Sequence, residues 1–120
     1  MKALAAAVIA VAVLAGCGGS STPQPGGSIK VTMTEFKFDP GDLNVPSGKV
    51  VFFLVNAGTA ASHNMIIRDS TGKRIAGSTL VSAGDSTVFT VDNIAAGSYI
   101  IFCDQPGHEG SGMKGTLTVT

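Results

Sequence analysis

Three residues with ligand chemistry are crowded into one short segment. The stretch YIIFCDQPGHEGSGM, residues 99–113, spaces Cys103, His108 and Met113 as C-x4-H-x4-M. A thiolate, an imidazole and a thioether on one loop are soft to intermediate donors, and that set suits copper cycling between Cu(I) and Cu(II). A trigonal site of this kind needs a second imidazole, and the chain has two histidines in all. The other, His63, lies forty residues before Cys103 at the head of an apolar segment, where a neighbouring strand can deliver it to the same end of a sandwich. Each residue also has a plainer use. His63 fits a satisfied core histidine, Met113 a gap-filling side chain, Cys103 a small buried hydrophobe, and His108 an exposed loop residue. The joint pattern favours ligation, because both histidines and the only cysteine beyond the N-terminal segment fall where one metal site requires them.

The elements that must position these donors read as strands. In the segment 97–103, Tyr99, Ile101 and Cys103 share one face, so the thiol points the same way as core side chains. Pro106-Gly107 and Gly110-Ser111-Gly112 force tight turns that can bring His108 and Met113 back toward the sulfur. Residues 29–35 alternate, with Ile29, Val31 and Met33 on one face. Asp39-Pro40-Gly41 marks a turn, 43–45 a short strand, and Pro46-Ser47-Gly48 its end. Residues 49–56 are strongly apolar and suit a central strand; 63–69, 86–92 and 114–120 complete the set. Residues 75–80 are ambiguous, a loop with at most a short strand. Met33 and Met65 read as core. No helical periodicity appears outside the N-terminal segment. The spacing predicts an all-β Greek-key sandwich of seven to eight strands over residues 29–120.

Together these residues resemble the cupredoxins, the small blue-copper proteins of the plastocyanin and azurin kind. The resemblance covers residues 29–120 and includes LNVPSGKVVFF at 43–53, Ser62-His63-Asn64, and AGSY at 96–99 leading into the metal loop. It implies that His63, Cys103 and His108 are strong equatorial copper ligands and Met113 a weak axial one, with one type 1 copper per chain. It implies that Asn64 ties the two ligand loops together by hydrogen bonding. It also implies that His108 lies near the surface in an apolar patch with Pro106, Gly107 and Gly112, serving as electron port and contact for a redox partner. The implied function is electron transfer by a monomer through small, transient contacts. The four-residue gap between Cys103 and His108 is more like azurin or rusticyanin than plastocyanin, and no subfamily follows. A copper carrier or scavenger of the envelope would use the same four ligands, but carriers tend to show Met-rich or His-rich stretches, which this chain lacks. A structural sandwich with incidental cysteine and histidines is the remaining alternative. An enzyme is not expected. Nitrite reductases and multicopper oxidases resemble this fold but need further histidines, and a binuclear centre with two bridging cysteines is excluded by Gly107 inside the loop. Asp104, Glu109 and Lys114 flank the site, where they could steer a charged partner, but read more simply as ordinary solvated residues.

The first segment reads as a targeting signal. Lys2 precedes an unbroken apolar run over residues 3–14, shorter than the ~18–20 residues that cross a bilayer. Leu14-Ala15-Gly16-Cys17 resembles the lipobox of bacterial lipoproteins. That resemblance implies a leader over residues 1–16 and an acylated Cys17 that anchors the protein to the membrane. The alternative is an ordinary signal peptide with Cys17 a plain thiol. Residues 17–28 then form the lipidated cysteine and a Gly/Ser/Pro tether. The implied location is the cell envelope, at the outer face of the cytoplasmic membrane or the periplasmic side. A disulfide between Cys17 and Cys103 would require the tether to fold back on the domain, so Cys103 is expected as a free thiol. Eight basic residues balance eight acidic ones over the 120-residue chain, and this lack of basic excess gives no support for nucleic-acid binding.

Overall fold

The computed structural model describes residues 22–120. The leader, Cys17 and the first part of the tether lie outside the described residues. Nine strands follow one another with no helix among the described residues: β1 (Ile29–Thr34), β2 (Lys37–Asp39), β3 (Asp42–Val45), β4 (Gly48–Asn56), β5 (Ile66–Asp69), β6 (Arg74–Gly77), β7 (Ser86–Ile94), β8 (Gly97–Phe102) and β9 (Lys114–Val119). They form a four-stranded sheet in the order β2-β1-β4-β7 and a five-stranded sheet in the order β3-β9-β8-β5-β6. The pairs β1/β4 and β3/β9 are parallel; the other ladders are antiparallel.

Alternation sets the core. In β1, Val31 and Met33 are fully buried, as the spacing predicts. In β7, Phe89 and Val91 are buried while Val88 and Thr90 face outward. Phe52 and Leu54 of β4 are fully buried, and Phe52 stacks on Phe89 with ring centroids 5.9 Å apart. Ile101, Cys103, Leu117, Met65 and Ile67 bring the second sheet into the same cluster.

Three elements differ from the sequence reading. β2 is only three residues long, and one buried residue, Phe38, flanked by exposed Lys37 and Asp39 is too short a pattern to register as alternation. β6 resolves the ambiguous 75–80 stretch as an edge strand over Arg74–Gly77 with no buried residue; pairing with β5, not burial, defines it. The segment expected as a strand from His63 onward begins regular pairing only at Ile66. His63, Asn64 and Met65 are all buried, and His63 pairs only through an isolated antiparallel bridge to Val81.

Residues 22–28, expected as part of the tether, approach the domain at Thr22, whose amide donates to Ser86 Oγ at 3.2 Å; within the segment, Ser28 Oγ donates to the Pro25 carbonyl at 2.6 Å.

Candidate metal centre

Two loops at one end of the sandwich carry the donors. The first leaves β4 and is organised by Asn56, a fully buried amide. Its Nδ2 donates to the carbonyls of Ala61 and Val81, each at 2.9 Å, and its Oδ1 accepts the Gly58 amide at 2.9 Å. The loop then delivers His63, whose backbone exchanges two hydrogen bonds with Val81 at 3.0 and 2.8 Å. A buried polar group has to be paired, and here the pairing fixes the backbone that bears the imidazole.

The second loop joins β8 to β9. Backbone hydrogen bonds close it: the Cys103 amide donates to the Met113 carbonyl at 3.1 Å, and the Met113 amide donates to the His108 carbonyl at 3.0 Å. Gly107 and Gly112 have φ of 80° and 108°, conformations that other residues adopt only with strain. Cys103, His108 and Met113 are thereby held on one tight loop, with Cys103 and Met113 fully buried and His108 half-buried.

The ligand atoms converge. His63 Nδ1 lies 3.2 Å from His108 Nδ1, and Cys103 Sγ lies 3.5 Å from His108 Nδ1. One donor atom from each of His63, Cys103 and His108 falls within 4.8 Å of the others. Burial, with the nearby His108, pushes the His63 imidazole below its usual pKa, which keeps the ring neutral and its nitrogen free to ligate. One sulfur and two imidazoles brought together in this way, with the buried thioether of Met113 on the same loop, are a donor set that fits copper.

Asn64 bridges the two loops. Its Nδ2 donates to Asp104 Oδ1 at 2.7 Å and its Oδ1 accepts the Asp104 amide at 3.1 Å. Asp104 and Glu109, expected as merely solvated, are paired as well. Asp104 lies 3.7 Å from the Arg74 guanidinium and Glu109 bonds Arg68, whose guanidinium sits over the Phe102 ring at 4.4 Å. Pro106, Gly107 and Gly112 are exposed around His108.

Sequence reasoning missed three residues here. Phe36 is 39% exposed, and its ring meets that of His108 edge-on at 4.7 Å. The Glu35 carboxylate lies 3.6 Å from His63 Nε2; amides of the 59–61 loop, Ala61 first, hold its pKa at about 2. No signal in the chain points to either, because both depend on how β1 is placed beside β4. Asn56 did carry a signal: it continues the parity of Phe52 and Leu54, so a polar side chain was due on the core face.

Residues 26–120 match the family of copper binding proteins described as plastocyanin/azurin. The chain is similar to auracyanin-B of Chloroflexus aurantiacus, with 29% identity over 84% of this chain and 54% of the relative. It thus spans about half the length of that curated relative. Among solved structures it is similar to reduced auracyanin from Roseiflexus castenholzii, with a TM-score of 0.68 and 25% identity over 78% of this chain and 96% of that one. Rusticyanin from Thiobacillus ferrooxidans shares the fold, with a TM-score of 0.64 at 21% identity over 86% and 84% of the two chains. The family match over residues 26–120 and the convergence of His63, Cys103 and His108 lead to one conclusion: the chain belongs to the plastocyanin/azurin family of copper binding proteins.

Proposed function

We propose that the protein is a membrane-tethered electron carrier that holds one type 1 copper on His63, Cys103, His108 and Met113. The observation that carries this reading is the convergence of two imidazole nitrogens and a thiolate sulfur within 4.8 Å at one end of a rigid double sheet. Copper bound by these donors supplies a one-electron couple between Cu(II) and Cu(I). The chain's own contribution is to hold the donors still. Cys103 and Met113 are tied to each other through backbone hydrogen bonding, His63 is tied to Val81, and Asn64 locks one loop to the other. Little reorganisation of the protein then opposes a change of charge. Burial of Cys103, Met113 and His63 excludes water, while His108 reaches the surface among Pro106, Gly107 and Gly112. In this reading that apolar rim is the electron port and the contact for donor and acceptor proteins, and the carrier works as a monomer without catalysing a reaction of its own.

The test separates electron carriage from metal delivery. The copper-loaded protein is cycled repeatedly between ascorbate and ferricyanide in the presence of a Cu(I) chelator. An electron carrier keeps its copper and returns its full absorption after every cycle. Transfer of the metal to the chelator on first reduction would instead establish a copper carrier.

Met113→Leu probes the axial position. Leucine keeps the volume and removes the thioether donor, so the visible band persists. Cu(II), which needs more ligation than Cu(I), loses more. The reduction potential rises, by about 59 mV for each tenfold loss of relative Cu(II) affinity. Voltammetry checks this, and an unchanged potential removes Met113 from the ligand set.

In the same reading Cys17 carries the lipid anchor. Cys17→Ser then moves an intact, copper-binding domain from the membrane fraction to the soluble fraction of the exported protein. Fractionation with immunodetection reads the outcome, and a variant that stays with the membrane contradicts the anchor.

A further inference from the structure

The parallel pairing of β1 with β4 has a consequence for the metal centre. Met33 of β1 sits opposite Asn56 of β4, and the Met33 carbonyl accepts the Ala57 amide at 2.9 Å. The end of β1 therefore runs beside the loop that leads from β4 to His63. Glu35 extends into that loop. Its Oε1 accepts the amides of Ala60 and Ala61 at 3.3 and 3.0 Å, and its Oε2 faces the Thr59 amide at 3.4 Å. The same Oε1 lies 3.6 Å from His63 Nε2. That nitrogen is buried and has no hydrogen-bond partner among the described residues, so Glu35 is the acceptor closest to satisfying it. An approach of a few tenths of an ångström by the flexible carboxylate brings the pair within hydrogen-bond range.

We propose that Glu35 is a positioning residue for the copper centre: its carboxylate takes the Nε2–H of His63, turns Nδ1 toward the metal, and biases the site toward Cu(II). This rests on the copper reading above. A ligating histidine that gives its outer N–H to a carboxylate becomes a more basic donor. A fixed negative charge close to the ring also favours the more highly charged metal state. Both effects lower the reduction potential. Glu35 thus has two tasks, clamping the 59–61 loop and polarising the ligand that this loop presents.

Gly58 offers an independent way to disturb the contact. A Cβ at this position would collide with both carboxylate oxygens of Glu35 and with Asn56 Oδ1. Gly58→Ala therefore pushes the carboxylate aside without removing its charge from the chain, and because it also crowds Asn56 Oδ1 the graded Glu35→Gln and Glu35→Asp pair isolates the carboxylate itself.

The experiment compares copper-loaded wild type, Glu35→Gln, Glu35→Asp and Gly58→Ala by voltammetry, visible spectroscopy and, in the reduced diamagnetic state, NMR of the His63 Nε2 proton. Glu35→Gln keeps an acceptor for the loop amides but loses the charge. It is expected to keep the visible band, weaken Cu(II) binding about tenfold or more, and raise the potential by about 59 mV per tenfold. Its His63 Nε2–H resonance moves upfield as the hydrogen bond weakens. Glu35→Asp restores part of the shift, and Gly58→Ala changes potential and resonance in the same direction as Glu35→Gln. Where Glu35→Gln does not fold, Gly58→Ala carries the same expectation. A blue wild type whose potential and His63 resonance are unchanged in both Glu35→Gln and Gly58→Ala overturns the role of Glu35 alone. A wild type without the visible band overturns the copper reading itself.

Discussion

Substituting Cys103 with serine removes the intense visible band of the copper-loaded protein while leaving the domain folded. The thiolate is the donor of the charge transfer that gives a type 1 site its colour. A serine hydroxyl stays protonated near neutral pH and is a hard, weak ligand by comparison. Cys103 Sγ lies 3.5 Å from His108 Nδ1 and the residue is fully buried; among the described residues there is no other thiol to replace it. The cost to the fold is that of burying one hydroxyl, about 1–3 kcal/mol if it stays unpaired, against a total stability of about 5–15 kcal/mol for a typical domain. Visible spectroscopy and a thermal melt of the same sample check both halves. A serine variant that stays blue contradicts the assignment of Cys103.

Phe52→Ala is expected to have the largest effect on stability. Phe52 lies in the middle of β4, which pairs with β1 on one side and β7 on the other. Its ring is fully buried and lies nearly parallel to Phe89, at 25°. Deleting it leaves a cavity between two sheets that cannot close without moving both, which costs about 3–5 kcal/mol. At roughly 4–8 °C per kcal/mol, Tm falls by more than ~12 °C. Val88→Ala, on the outward face of the neighbouring strand and 37% exposed, serves as the control and changes stability by about 0.5 kcal/mol or less. Urea titrations of the two variants check the contrast. Equal midpoints would mean that β4 does not form the centre of the core.

The candidate ligands were legible because their chemistry is rare and their spacing local. Cys103, His108 and Met113 lie on one loop, and a loop rich in glycine can be read as a turn without knowing the rest of the fold. Most strands were legible for a similar reason: Val31 with Met33, and Phe89 with Val91, alternate within a single stretch. What could not be read is what depends on register between distant strands. Glu35 and Phe36 follow an ordinary strand, and only the parallel placement of β1 beside β4 sets Glu35 against His63 and brings Phe36 to His108. β6 stayed ambiguous in the sequence for want of any buried residue, since an edge strand is defined by its partner. The position of His63 in a bridge to Val81 rather than in a regular strand follows from Asn56, which anchors both neighbouring segments through one amide.

The central claim is most directly tested by the visible spectrum of the protein with one equivalent of Cu(II), recorded before and after ascorbate and again after reoxidation. A type 1 site gives an intense blue or green band that bleaches on reduction and returns on oxidation. No such band, with Cys103 confirmed as a free thiol, would contradict the account.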